Sequence, residues 1–151
     1  MTGRRGWTLV ELLTAMLVMG VLSSLAILKY IYLTRTAFAA KIAGEFVTVR
    51  LAAYNYEADH NNQWPAETGP GTVPAEMAPY LPSGFTFQRT TYDLDWDNLS
   101  PSLTPYELAI SITTTDPALL QALAQNLGTR APYYFTNNKL TYVLVDQSGN
   151  Y

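Results

Sequence analysis

The sequence predicts an α+β chain: a long N-terminal helix, membrane-spanning over its first half, carrying a small antiparallel sheet of about four strands. Three observations predict it. Residues 7–28 form an unbroken apolar run with a single charge, Glu11. From Ile31 to Tyr56, apolar residues recur at helical spacing. Beyond Phe85 the period changes to two, as in strands buried on one face.

The apolar run comes first. A helix from Trp7 to Leu28 is roughly 33 Å long at 1.5 Å per residue, enough to cross the hydrocarbon of a bilayer. Arg4 and Arg5 precede it and favour a cytoplasmic N-terminus. Lys29 and Arg35 follow it and weaken that bias. Glu11 is out of place, because a carboxylate in a membrane span costs about 2.5–3.5 kcal/mol at mid-helix and less near an end. An acid kept at such a cost is read as functional. Two simpler readings compete. An ordinary secretory signal would be cut after Ser24-Leu25-Ala26, but Glu11 interrupts its apolar region and the run is too long. A plain signal anchor explains the span but not Glu11.

Residues 29–60 continue the helix in amphipathic form. Ile31, Phe38, Ile42, Phe46, Val49, Ala53 and Tyr56 make one stripe, with Lys41, Glu45 and Arg50 off it. No proline lies between Met1 and Trp64, so nothing forces a break before about Asp59. Gly44 costs about 1 kcal/mol against alanine and either admits a close neighbour or is merely tolerated. Asn61-Asn62 supply the stop.

Residues 61–84 are a loop. Pro65, Pro70, Pro74, Pro79 and Pro82 are five of the nine prolines, and Gly69, Gly71 and Gly84 stand among them. Only a short helical turn near Ala75–Tyr80 is expected. Trp64 and Tyr80 point to a surface loop pinned by aromatic packing, the alternative being a contact surface for a subunit or ligand.

Residues 85–151 form the head. Phe85 and Phe87, then Tyr92, Leu94 and Trp96, then Tyr106, Leu108, Ile110 and Ile112 alternate with polar residues. Asp116-Pro117 is an N-cap followed by proline at the first helical position. Leu119, Leu120, Leu123 and Leu127 give that helix, near 116–127, an apolar face, and Gly128 closes it. Tyr133–Thr136, Asn137-Asn138 and Lys139–Val145 read as a hairpin with a tight turn.

Chemistry is sparse. Without cysteine there is no disulfide and no zinc-thiolate site. His60 is the single histidine, so neither a triad nor a transition-metal cluster can be built on it, and it is expected exposed at the helix end. Asp93, Asp95 and Asp97 alternate as at the start of a calcium loop, but Asn98 replaces the glycine of the sharp turn and Thr104 the bidentate glutamate. Alternation explains them more simply, with Tyr92, Leu94 and Trp96 inward and the aspartates toward water. No catalytic residue, metal site or cofactor is expected. The formal net charge is −3, and the part beyond the apolar run is more acidic still, because Arg4 and Arg5 lie before it. Nucleic acid is therefore not indicated as a partner.

A basic leader ending in glycine, followed by Gly6-Trp7-Thr8-Leu9-Val10-Glu11-Leu12-Leu13, resembles the class III signal of type IV pilins and type II secretion pseudopilins. The resemblance covers about a sixth of the chain. It implies cleavage after Gly6 by a prepilin peptidase that also methylates the new N-terminus, Trp7. It places Glu11 at the fifth mature position, where the family carries a glutamate that pairs with the terminal amine of a neighbouring subunit. Tryptophan follows the glycine where phenylalanine or methionine is usual. Many major pilins carry a kinking proline near the position of Leu28; this anchor keeps Gly20 but has none, which leans toward a minor pilin or pseudopilin. Some pseudopilins hold calcium in a C-terminal loop, and the Asp93–Asp97 segment lies elsewhere. The expectation is a structural subunit and not an enzyme, single-pass in the inner membrane with a periplasmic head, then part of a filament. Its partners would be other subunits, the peptidase, an inner-membrane assembly platform and, before assembly, lipid. The alternatives are a membrane-anchored periplasmic binding module, with loop 64–84 as its ligand surface, and a DNA-uptake pseudopilin.

Overall fold

The computed structural model describes residues 7–99, 105–128, 132–146 and 148. The architecture is α+β. Helix α1 runs from Leu9 to Asp59, and the strands β1 (Tyr92–Asn98), β2 (Tyr106–Thr114), β3 (Tyr133–Thr136) and β4 (Lys139–Asp146) form one antiparallel sheet in the order β1-β2-β4-β3. Helix α2, Pro117–Leu127, lies between β2 and β3 in the chain. The chain divides into two compact units, Met1–Arg35 and Thr36–Tyr151.

In the first unit α1 is apolar on every side, and its large apolar side chains stand exposed. Leu12, Met16, Leu17, Leu25 and Leu28 are all more than half exposed. The helix is long and apolar enough to cross a membrane, with a best window of mean hydropathy 2.1 that is nowhere buried within the chain. A helix that is hydrophobic all round has no preferred wet face, so its side chains call for lipid or other helices.

In the second unit the period of α1 decides what is buried. Ala39, Ile42, Phe46, Val49, Ala52, Ala53 and Tyr56 face the core, as the stripe requires; Ile31, which falls in the first unit, is exposed. The stripe meets the inner face of the sheet, where Leu94, Trp96, Ile110, Ile112 and Leu140 are fully buried. Phe46 stacks on Tyr142 at 5.7 Å. Each such side chain contributes about 1.5–3 kcal/mol by leaving water, and Phe46→Ala would cost about 3–5 kcal/mol. Leu119, Leu120 and Leu123 of α2 close the same core.

The punctuation behaves as its chemistry demands. Asn61 and Asn62 adopt positive φ, and the Asn62 amide donates back to the Glu57 carbonyl, ending α1. Asp116 caps α2 through the Ala118 amide at 3.0 Å, Pro117 opens it, and Gly128 leaves it at φ 61°. Gly44 has nothing within 4 Å of a would-be Cβ, so it is tolerated on an exposed face and admits no strand.

Two expectations outside the sheet need correction. Phe85–Phe87 is not a strand: a single bridge, Gln88 to Asp93, joins that segment to β1, although Phe87 is fully buried. Glu45, read as lying off the apolar stripe, is buried, because Arg89 and Tyr92 from beyond the loop reach it.

Candidate functional site

Two groups of residues carry chemistry beyond packing, and each lies within one unit. The first is the start of α1. Thr8 is the residue before the helix and Glu11 its third member. The Glu11 carboxylate accepts from the Thr8 amide at 2.8 Å and from the Thr8 hydroxyl at 2.9 Å, while the Glu11 amide donates to Thr8 Oγ1 at 3.2 Å. This reciprocal arrangement is a capping box, which satisfies two backbone N–H groups that a helix start otherwise leaves open. Its signal, Thr-x-x-Glu before an apolar run, stands in the sequence at Thr8 to Glu11. Trp7 is exposed just before α1, and Glu11, Thr14, Ala15, Val18 and Leu22 follow along one face of the helix. Gly6 lies outside the described residues, so the structure places Trp7 and Glu11 of the motif but not the glycine.

The second group is on the sheet. Strand alternation puts Asp95 and Asp97 on the face away from α1, as expected, but that face is not wet. Asp95 is 3% and Asp97 5% exposed. The expectation of solvent-facing acids is thus overturned, and the reason is in the cross-strand neighbours. Asp95 pairs in register with Ser111, and Ser111 with Thr141, both buried. Lys139 extends its ammonium to 3.4 Å from Asp95 Oδ2 and 3.1 Å from Asp97 Oδ1. The Ser111 hydroxyl donates to Asp97 Oδ2. Tyr106 hydrogen-bonds Thr141 close by. Long side chains therefore roof short acids.

The electrostatic consequence is asymmetric. Burial, then the neighbouring Asp97 charge, pushes the Asp95 carboxyl up to about 6 against the pull of Lys139. Burial works against the Lys139 ammonium, but Asp97 and Asp95 outweigh it and hold it above the ordinary lysine range. Glu67 arrives from the proline-rich loop and accepts from the Asn98 amide, and its carboxylate lies within 4.8 Å of those of Asp95 and Asp97. Asp93 stays half-buried beside Gly71, and one of its oxygens finds no donor.

The loop is held by its own head. The Trp96 indole N–H and the Asn98 side-chain amide both donate to the Pro65 carbonyl, at 3.0 and 2.8 Å. Trp64 packs edge-on against Tyr54 at 5.5 Å, and Glu76 accepts from the Ala66 amide. Tyr80, on the single helical turn Ala78–Tyr80, donates to Asp59. Pinning by local packing is what the structure shows. His60 is exposed at the helix end, stacked on Tyr56 at 4.0 Å. Glu45 supplies a buried tie between α1 and β1: Tyr92 donates to it at 2.6 Å and Arg89 at 3.2 Å. Comparison with protein-family models, with curated proteins and with solved structures gives no significant match.

Proposed function

We propose that this chain is a prepilin, a structural subunit of a type IV pilus or type II secretion pseudopilus, cut after Gly6 and assembled through α1. The observation that supports this reading most is the presence of Glu11 in an apolar helix whose large side chains stand exposed. Such a helix has two stable environments, lipid and a bundle of its own kind. A carboxylate fits the second only with a cationic partner, and a methylated amine at Trp7 of a neighbour supplies one. The helix face that carries Glu11, with Thr14, Ala15, Val18 and Leu22, is the surface on which that neighbour would sit.

The head supports the same reading. On the side of α1 turned away from the sheet, Ala40, Gly44, Val47 and Leu51 are exposed, at steps of four, three and four. Small residues followed by large apolar ones make a face that a second helix can approach. The subunit thus reaches a filament by leaving lipid for protein, with the head outside the inner membrane throughout. Loop 64–84 is engaged with its own head, so a binding module using it as a ligand surface is the weaker reading. Purification of filaments from cells expressing the chain tests the proposal: the subunit should be found in them with Trp7 at its N-terminus. Its absence from every filament fraction would refute it.

A further inference from the structure

We propose that Glu67, Asp95 and Asp97 form a binding site for a hard divalent cation of calcium size, which clamps the proline-rich loop to β1. The three carboxylates come from two segments far apart in sequence, and an oxygen of each lies within 4.8 Å of the others. Two oxygens bound to one calcium ion stand at most about 4.6–5.2 Å apart, so the separations in this set are within what a shared ion allows. Magnesium bonds are shorter, about 2.0–2.1 Å, and set a narrower limit on those separations. All donors are carboxylate oxygens, which excludes a soft metal.

Charge and hydrogen bonding point the same way. One ammonium, Lys139, pairs with two of the three carboxylates, Asp95 and Asp97, so the set keeps an excess of negative charge. Lys139 takes Oδ2 of Asp95. Oδ1 of that almost fully buried side chain has no hydrogen-bond partner. A buried carboxylate oxygen without a donor is costly, and a cation at this position would satisfy it. Glu67 is exposed, which leaves an entry path and open coordination positions for water. The role is structural. Glu67 already accepts from the Asn98 amide, and an ion held by Glu67 and β1 together would fix the loop that also receives the Trp96 indole.

The experiment uses the full chain in detergent, stripped with EDTA and dialysed. Calorimetric titration with Ca²⁺ should show saturable one-site binding, and the melting temperature should rise with Ca²⁺ and fall back on chelation. Glu67→Gln removes one charged ligand at an exposed position where folding is not at risk, and should weaken binding by about tenfold or more. Asp95→Asn should weaken it at least as much, whereas Asp93→Asn should leave it little changed. Mg²⁺ should bind more weakly than Ca²⁺. No saturable Ca²⁺ binding would show that Lys139 alone suffices and overturn the proposal. Binding insensitive to Glu67→Gln would place the ion elsewhere, and tighter Mg²⁺ than Ca²⁺ binding would refute the calcium-sized assignment. None of these outcomes depends on filament assembly.

Discussion

Replacing Glu11 by glutamine and by leucine separates two roles for one carboxylate. In the single chain Glu11 completes a capping box with Thr8. In a filament it is proposed to carry the charge that pairs with a neighbouring N-terminus. The magnitudes differ enough to tell these apart. Loss of an N-terminal cap costs about 0.5–2 kcal/mol. Removing one partner of a buried ion pair costs about 3–5 kcal/mol, and 3 kcal/mol is already more than a hundredfold in an equilibrium constant. Glutamine serves at the third position of a capping box as glutamate does, so Glu11→Gln keeps the cap and removes the charge. Glu11→Leu removes both, and in lipid also relieves an insertion cost, so it should stay well anchored. Thr8→Ala removes the hydroxyl of the cap and keeps the charge. The assay is membrane fractionation beside the yield of sheared filaments, both by immunoblot. All three variants should be cut and held in the membrane. Thr8→Ala should enter filaments at a modestly reduced level, and Glu11→Gln and Glu11→Leu should both fail or nearly fail. If Glu11→Gln assembles as well as the native chain while Thr8→Ala and Glu11→Leu do not, the acid is a cap and the charge-pair reasoning is wrong.

Other expectations concern the head, measured on the full chain in detergent. Gly44→Ala should stabilise it by about 1 kcal/mol, read from chemical unfolding, because the site is helical, exposed and open around the missing Cβ. Glu45→Leu should destabilise it by about 1–3 kcal/mol, since the Tyr92 hydroxyl and the Arg89 guanidinium lose their shared acceptor; an unchanged unfolding midpoint would show that the tie contributes nothing. Burial, then the bond to Glu45, raises the Tyr92 hydroxyl far above the ordinary tyrosine range. A folded pKa raised above the unfolded value gives stability that is complete below about pH 10 and lost above it, so Tyr92→Phe should flatten the alkaline limb of a stability–pH profile.

Local signals in this chain were strong where one residue type has one use. Asp116-Pro117 with Gly128 bounded α2 within a residue, and Asn137-Asn138 placed the hairpin between β3 and β4. The stripe from Phe38 to Tyr56 named most of the helix side of the core. What could not be read depends on neighbours distant in sequence. Alternation tells which face of β1 holds Asp95 and Asp97, but not that Lys139, more than forty positions on, roofs that face. Glu45 looked like a solvated flank until Arg89 and Tyr92 closed over it. The convergence of Glu67 on the two aspartates joins a loop to a strand, and no spacing rule encodes that. The Thr8 to Glu11 cap, by contrast, is local and legible as Thr-x-x-Glu before an apolar run.

The central claim, that the apolar helix is a processed assembly element, is tested most directly at the N-terminus of the mature chain. Intact-mass and N-terminal analysis of the protein isolated from membranes and from sheared filaments should find it beginning at Trp7, with a methylated amine, in both. A chain beginning at Ile27 would mean ordinary secretory cleavage, with the helix and Glu11 discarded, and would contradict the account.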